Sequence, residues 1–155
     1  MIKTFFRKKF LFNDLMKSFS QKYLVNAPIN KVWQALVDPK VIEDWGGGAA
    51  KMSAKEGASF SLWGGDIWGK NKKVIDGKLL VQDWYGGKWE KPSKVSFILS
   101  QKGQKTEVIL KHENLPDEGW KDFADGWKDY YMGPLKKLLE QGEFINFSSK
   151  FEVFT

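Results

Sequence analysis

The chain contains no cysteine and only one histidine, His112. Disulfides, thiolate nucleophiles, cysteine-ligated metals and paired histidines are therefore excluded. No apolar run approaches the roughly 18 to 20 residues of a membrane-spanning helix. The apolar N-terminus is interrupted by Arg7, Lys8 and Lys9 and lacks the small-residue cleavage site of a secretory signal. We predict a cytoplasmic protein that has no stable membrane insertion, no metal and no cofactor.

The net charge of +6 is concentrated at the N-terminus. The first twelve residues contain no acid and supply four of the positive charges, from Lys3, Arg7, Lys8 and Lys9. Lysines also gather between Lys70 and Lys94, but acids interrupt them. This pattern is typical of a solvated sheet face rather than of a phosphate-binding stripe. We therefore predict no nucleic-acid partner.

The first part of the chain is predicted to form a strand followed by two short helices. The composition of Ser18 to Val25 is typical of a strand, and Asn26 with Pro28 is typical of a helix start with a capping asparagine. Apolar residues at helical spacing follow until Asp38-Pro39, because the residue before a proline is pushed out of the helical region. A second short helix from Lys40 to Trp45 is predicted to end at the following glycines.

Five further strands and one long helix are predicted beyond Ala58. Short apolar runs alternate with glycine-containing turns, which indicates antiparallel strands. Asp76-Gly77 predicts a type I′ hairpin turn, in which both central residues have positive φ. Two more strands are predicted at Lys94 to Gln101 and Lys105 to Glu113, and Pro116 is predicted to introduce the helix.

The predicted C-terminal helix contains GWKD twice, seven residues apart. Seven residues return to nearly the same helical angle, so the sequence predicts one aromatic face, made by Trp120, Phe123, Trp127, Tyr130, Tyr131, Pro134 and Leu138. Glycines recur at the same interval, and an interior glycine costs about 1 kcal/mol relative to alanine. The glycine row Gly119, Gly126 and Gly133 therefore either admits another backbone or leaves a hollow beside the rings. Gly133-Pro134 predicts a kink.

No motif predicts a catalytic site. Gly64 to Lys70 spells GxxxxGK, but Asn71 replaces the hydroxyl residue of a phosphate-binding loop and the surrounding residues predict a hairpin, so we interpret the match as coincidental. His112 shares a strand face with apolar residues, where a lone histidine is more often a hydrogen-bonded core or cavity residue than a catalytic base. Acid, base and nucleophile do not cluster. We predict that the protein is not an enzyme.

Three segments together resemble one family: NAPINKVWQALVDPKVIEDWG, TEVILKHENLP and GWKDYYMGPLKKLLE. It is the activator of heat-shock-protein-90 ATPase homologue-like family, within the START/birch-pollen-allergen-like (SRPBCC) helix-grip superfamily. The resemblance covers roughly Ser18 to Glu140. It implies an α+β helix-grip fold, in which a curved antiparallel sheet of about six strands surrounds the long C-terminal helix, with two short helices between strands 1 and 2.

The resemblance also implies a division of the chain and a cavity. Residues 16–140 are predicted to form the helix-grip domain, residues 1–15 a loose basic arm, and residues 141–155 a phenylalanine-rich tail. Many members of the superfamily use the space between sheet and helix for lipids, sterols or polyketide-like molecules. The eukaryotic members that stimulate the chaperone ATPase carry an additional N-terminal domain.

Eight tryptophans in 155 residues supply either a large aromatic core or a cavity lined by rings. Our leading hypothesis is a non-catalytic domain that binds an apolar or aromatic small molecule, lipid-like or polyketide-like. The candidate cavity residues come from the predicted inner faces of sheet and helix and are Trp33, Phe60, Trp84, Phe97, His112, Trp127, Tyr130 and Tyr131.

Two other classes of function stay open. The first is a chaperone-associated interaction domain that acts through its surface, for which the lysine-rich hairpins are candidates. The second is an enzyme that uses a cavity acid or base such as His112. The chain is predicted to be a monomer or a homodimer. The tail is predicted to add an edge strand, cover the cavity mouth or pair with another chain.

Overall fold

The computed structural model describes residues 16–116 and 120–141, which begin with a strand and two short helices. These are β1 (Met16–Val25), α1 (Ile29–Val37) and α2 (Pro39–Trp45). The remaining strands follow as β2 (Ser59–Leu62), β3 (Ile67–Ile75), β4 (Leu79–Gly86), β5 (Ser93–Lys102) and β6 (Lys105–Pro116). A short 3-10 turn, Trp63–Gly65, joins β2 to β3. A long helix, α3, spans residues 120–141. The predicted arm and most of the predicted tail lie outside the described residues.

The strands form one antiparallel sheet of six, in the order β1-β6-β5-β4-β3-β2. Buried and exposed residues alternate along β4 and β6, as expected for a sheet with one face on the core. The inner face of β6 carries Thr106, Val108, Leu110 and His112, and all four are buried. The core therefore lies between this inner face and the helices, and the predicted α+β helix-grip architecture is confirmed.

Asp38 separates the two short helices in the way the sequence predicts. It is the C-cap of α1, and its carboxylate accepts a hydrogen bond from the Lys40 backbone N–H at 2.9 Å as the N-cap of α2. The predicted asparagine cap of α1 is wrong, because the N-cap is Pro28, whose side chain makes no capping hydrogen bond. The Gln101 side chain instead accepts from the Ile29 backbone N–H at 3.2 Å.

The turn between β3 and β4 differs from the predicted type I′ hairpin. Gly77 has φ 72°, whereas Asp76 is not among the residues with positive φ. The Lys78 backbone N–H donates to the Ile75 carbonyl at 2.9 Å and closes the turn. Only one central residue needs the left-handed region in this geometry, and glycine supplies it.

The strands correct the expectation for Pro116 and agree with the interpretation of the GxxxxGK match. Pro116 is the last residue of β6 rather than the start of the helix, and residues 117–119, which include Gly119, lie outside the described residues. Gly69 and Lys70 lie inside β3, where the chain continues as a strand to Ile75. A phosphate-binding loop would run into a helix there, so the coincidental interpretation of the GxxxxGK match agrees with the fold.

Helix α3 changes its geometry beside the predicted kink. Trp120–Gly126 is α-helical, whereas Trp127–Met132 is π-helical and ends immediately before Gly133-Pro134. In this stretch the Gly133 backbone N–H donates to the Lys128 carbonyl, five residues earlier. Pro134 has no N–H to donate to the Tyr130 carbonyl, so the α-helical hydrogen-bond pattern is interrupted here. The wider π-helical turn accommodates this interruption.

The π-helical turn also corrects the predicted helix face. A turn with one extra residue shifts the angular position of everything that follows it. Tyr130 is accordingly 69% exposed, whereas Met132 and Leu135 are fully buried. Trp127 and Tyr131 stay in the core, as the aromatic stripe predicts. Trp127 and Tyr131, which pack against the sheet, therefore both lie within the π-helical stretch.

Candidate ligand cavity

A cavity of about 160 Å³ lies between α3 and the inner face of the sheet, beside the 3-10 turn. Its lining consists of aromatic and apolar residues and one glycine, namely Trp63, Ile67, Trp84, Phe123, Gly126, Trp127, Tyr130 and Tyr131. Side chains from the turn, from two strands and from the helix thus meet at one hollow. An apolar hollow of this kind is the usual basis of a small-molecule site.

Closely packed, tilted aromatic rings form the inner wall of the cavity. The ring centroids of Trp84 and Trp127 are 4.7 Å apart, and those of Trp127 and Tyr131 are also 4.7 Å apart. Phe97 lies behind them, with its ring centroid 5.7 Å from Trp127 and 5.6 Å from Tyr131. These tilted and edge-to-face contacts are favourable beyond the burial of area alone.

His112 holds this wall to the sheet through both ring nitrogens. The Trp127 indole Nε1–H donates to His112 Nδ1 at 2.9 Å, so the imidazole proton resides on Nε2. His112 Nε2 lies 2.7 Å from Ser93 Oγ, and the Ser93 hydroxyl donates to the Trp84 carbonyl at 3.3 Å. Burial lowers the pKa of His112 from 6.5 to about 3. The histidine is therefore a neutral, fully hydrogen-bonded core residue.

A second polar chain holds the Trp84 indole. Its Nε1–H donates to Gln82 Oε1 at 2.9 Å, and Gln82 Nε2 donates to Asn71 Oδ1 at 2.9 Å. Asn71 Nδ2 in turn donates to the carbonyls of Ser53 and Lys55 at 2.8 and 3.0 Å. Trp84 is thereby fixed in one orientation, and the loop before β2 is tied to the sheet.

The Tyr131 hydroxyl is the exception to this pairing. It is completely buried and has no hydrogen-bond partner among the described residues. Burial raises the pKa of Tyr131 well above its ordinary value, so the hydroxyl stays protonated. An unpaired buried hydroxyl costs about 1 to 3 kcal/mol and is rare in native structures. It lies on a residue that lines the cavity.

Trp63 forms the wall opposite the helix from a strained backbone position. Its φ is 49°, in the left-handed region that bulky residues avoid. The indole Nε1–H donates to the Gly46 carbonyl at 2.8 Å, and the Trp63 backbone N–H donates to the Gly47 carbonyl at 2.7 Å. Gly48 lies so close to the Trp63 backbone that a Cβ there would approach its Cα to 2.8 Å. Contacts with the glycine triplet, Gly46 to Gly48, therefore fix the position of this tryptophan.

The predicted cavity residues are only partly brought together. Four of them line the cavity, namely Trp84, Trp127, Tyr130 and Tyr131. Phe97 and His112 lie one layer behind, in contact with Trp127. Phe60 packs on Trp84 at 6.2 Å but lines a different groove, and Trp33 is buried outside the lining.

Sequence reasoning did not name Trp63, Ile67, Phe123 or Gly126 as lining residues. For two of them a signal was present, because Phe123 belongs to the aromatic stripe and Gly126 to the glycine row. A Cβ on Gly126 would meet only Tyr130 Cδ2, at 3.8 Å, so this glycine does leave a hollow. Trp63 and Ile67 reach the cavity through the 3-10 turn, which carries no comparable pattern.

Two negative findings apply to residues 16–116 and 120–141. No group of three or more His, Asp or Glu side chains within these ranges could hold a metal ion. No helix within them is long and apolar enough to span a bilayer.

The antiparallel sheet, the two helices after β1 and the helix laid across the inner face define a helix-grip fold. The family described as Activator of Hsp90 ATPase homolog 1-like protein matches residues 26–140, and the chain belongs to it.

Two curated proteins are similar to parts of this chain. An uncharacterised protein of Schizosaccharomyces pombe, C1711.08, is 23% identical over 128 residues, which cover 81% of this chain and 38% of that protein. The activator of 90 kDa heat shock protein ATPase homolog of Dictyostelium discoideum is 33% identical over 94 residues, covering 59% of this chain and 24% of that protein. The chain therefore spans well under half the length of the curated relatives it matches.

Two solved structures share the fold. The crystal structure of PFC0360w, an HSP90 activator from Plasmodium falciparum, has a TM-score of 0.72 at 22% identity, over 79% of this chain and 96% of that one. The solution structure of the Aha1 dimer from Colwellia psychrerythraea has a TM-score of 0.69 at 21% identity, over 81% of this chain and 97% of that one. At this identity the likeness shows the architecture alone.

Proposed function

We propose that the protein is a non-catalytic binding domain whose cavity takes a small aromatic molecule of one or two rings. The observation that carries the proposal is an aromatic-lined hollow of about 160 Å³ to which Trp84, Trp127 and Tyr131 contribute their rings. The hollow supplies ring contacts on several sides, and its surface is apolar. Most small-molecule sites are lined predominantly by such apolar and aromatic side chains.

The volume narrows the class of ligand. Sites for drug-sized molecules occupy about 300 to 1,000 Å³, whereas an apolar cavity of about 150 Å³ holds benzene. A cavity of about 160 Å³ therefore suits a phenol or an indole better than a sterol or a long-chain lipid.

The same geometry disfavours catalysis. The lining contains tryptophan, phenylalanine, tyrosine, isoleucine and glycine, and none of these is an acid or base near neutral pH. His112 lies behind the lining, and both of its nitrogens are engaged with Trp127 and Ser93. A general base must reach the proton it abstracts, and this histidine faces protein atoms instead.

Gly126 provides a matched pair of variants to test the cavity. Its missing Cβ faces open space apart from Tyr130, so Gly126→Ala fits without displacement and Gly126→Met extends into the hollow. Toluene, p-cresol and indole serve as probes in calorimetry and thermal-shift titrations. We expect dissociation constants between about 1 µM and 1 mM for the wild type and Gly126→Ala, and at least tenfold weaker binding by Gly126→Met. Equal binding by all three proteins, or no probe binding to the wild type, contradicts the proposal.

A second candidate is a chaperone-associated domain, and one structural match favours it. The solved chain of the Plasmodium falciparum HSP90 activator is matched over 96% of its length, so the fold of this chain corresponds to nearly all of that structure. The test is the ATPase rate of the purified heat-shock-protein-90 homologue from the same organism. Stimulation that saturates with added protein supports this function, and an unchanged rate removes it.

A further inference from the structure

The outer face of the sheet carries a second concave site, a groove of about 670 Å³ across β2, β3 and β4. Three lysines line it, Lys51, Lys70 and Lys72, together with one acid, Asp83, and an aromatic pair, Trp68 and Tyr85. These residues lie on the opposite face from the helix, so the groove is separate from the aromatic cavity. The ligand-binding function proposed above does not use this groove, although Lys70 and Lys72 belong to a lysine-rich hairpin that is also a candidate surface for a chaperone partner.

The aromatic pair exposes a large apolar surface to solvent. Trp68 and Tyr85 are directly opposite each other on β3 and β4, and their rings stack at 5.8 Å and 9°. Trp68 remains 39% exposed, although tryptophan is largely buried in most folds. Exposed tryptophan and tyrosine are the residues most often found at the energetic centre of protein interfaces.

The charges around the pair favour a negatively charged partner. Lys72 lies 3.7 Å from Asp83, whereas Lys51 and Lys70 make no ion pair within the described residues. The groove therefore has a net positive charge, because three lysines and one carboxylate line it around the Trp68 ring. Rim charges of this kind steer a partner of opposite sign and fix its register.

The wider charge pattern favours a polypeptide over a nucleic acid. Lys70 is opposite Asp83, Asp83 is opposite Lys94, and Lys94 is opposite Glu113, so the signs alternate across four strands. A continuous phosphate backbone would meet the two carboxylates of this row as well as its lysines. A peptide can match the pattern, because its charges are spaced by uncharged residues.

The spacing along β3 also matches an extended chain. Trp68 and Lys70 project from the same face about 7 Å apart, and the bulge at Lys72 adds a third outward side chain. Alternate residues of an extended peptide repeat at the same distance. The contact is made by side chains, because Lys51 and Ser61 already pair through both backbone hydrogen bonds at the edge of β2.

From these observations we infer that the groove binds an extended acidic segment of a partner protein, with an apolar side chain on Trp68 and carboxylates on Lys51 and Lys70.

The test measures fluorescence anisotropy of labelled decapeptides with the full chain. In the acidic peptide, glutamate alternates with valine around one central tryptophan. In the control peptide, glutamine replaces glutamate. A ten-nucleotide oligothymidylate tests whether the groove binds a nucleic acid instead. We expect saturable binding of the acidic peptide below about 1 mM and at least tenfold weaker binding of the other two. No saturable binding of the acidic peptide, or tighter binding of the oligothymidylate, overturns the inference.

Charge-reversed variants locate the contact. Lys70→Glu and Lys51→Glu are each expected to weaken binding about tenfold, and Trp68→Ala about fivefold or more. Lys31→Glu is the matched control, because Lys31 is an exposed residue of α1 outside the groove. It is expected to change the affinity less than about twofold at moderate salt. An equal loss in Lys31→Glu and Lys70→Glu shows general charge attraction and overturns the inference.

Discussion

His112 makes the stability of the fold depend on pH in a defined direction. In the native state its Nδ1 accepts the Trp127 indole hydrogen, so protonation of Nδ1 would set two N–H groups against each other. Burial lowers the pKa of His112 from 6.5 to about 3. The unfolded chain therefore binds a proton below about pH 6.5, whereas the native chain binds it only near pH 3.

The sign and size of the effect follow from this difference. The contribution of His112 to the free energy of unfolding is fully present above the unfolded pKa, decreases as the pH falls from 6.5 towards 3, and is lost below that. Each pH unit inside this window corresponds to about 1.4 kcal/mol. Between pH 7 and pH 5 the loss amounts to about 2 kcal/mol, a large share of a typical stability of 5 to 15 kcal/mol.

Urea unfolding at pH 7, 6 and 5 measures this loss. His112→Gln keeps one donor and one acceptor but does not titrate, so it is the reference for the contribution of all other groups. We expect the wild type to lose about 2 kcal/mol more than His112→Gln between pH 7 and pH 5. A difference between the two proteins that stays constant with pH would refute the assignment of a neutral, buried His112.

Three further predictions concern the helix, a strained position and the buried hydroxyl, and each is tested by urea unfolding at neutral pH. Gly133→Ala is expected to destabilise the protein by more than about 2 kcal/mol, because its Cβ would collide with the Lys128 carbonyl. Gly126→Ala, in contrast, is expected to be neutral or to stabilise the protein by up to about 1 kcal/mol. Equal effects of the two substitutions would contradict this prediction. Asn114 has φ 62°, so Asn114→Gly is expected to be near neutral and Asn114→Ala to cost about 1 kcal/mol, and the reverse order would show that the strain is absent. Tyr131→Phe is expected to stabilise the protein by about 1 kcal/mol, since the hydroxyl it removes has no partner. A loss of stability would mean that the hydroxyl is paired.

The order of the elements could be read from the sequence because its signals are local. Asp38-Pro39 ends one helix and caps the next, and Gly46 ends the second helix in the left-handed region with φ 109°. Each of these signals depends on the backbone preference of one or two residues. The hairpin at Gly77 shows the limit of such rules, because the dipeptide places the turn but does not decide its type.

The cavity could be predicted only in part because its lining depends on geometry that no period encodes. A helical wheel assumes 3.6 residues per turn, and the π-helical stretch Trp127–Met132 breaks that assumption. Residues before the stretch, such as Phe123, agree with the wheel, whereas Tyr130 moves outwards and Leu135 inwards. Trp63 enters from a separate turn, and its approach depends on contacts with the glycine triplet.

The cavity is held open by hydrogen bonds rather than left open by poor packing. Its two inner indoles, Trp84 and Trp127, each donate to a buried acceptor, Gln82 and His112 respectively. Rotating either ring into the hollow would leave an indole N–H and its acceptor unpaired in the core, at a cost of about 1 to 3 kcal/mol for each group. Filling the hollow would stabilise the protein by roughly 24 cal/mol per Å³ of volume removed. Collapse would therefore have to eliminate most of the hollow to offset the loss of these hydrogen bonds. A buried polar framework that keeps an apolar hollow from closing is expected where that hollow is used for binding.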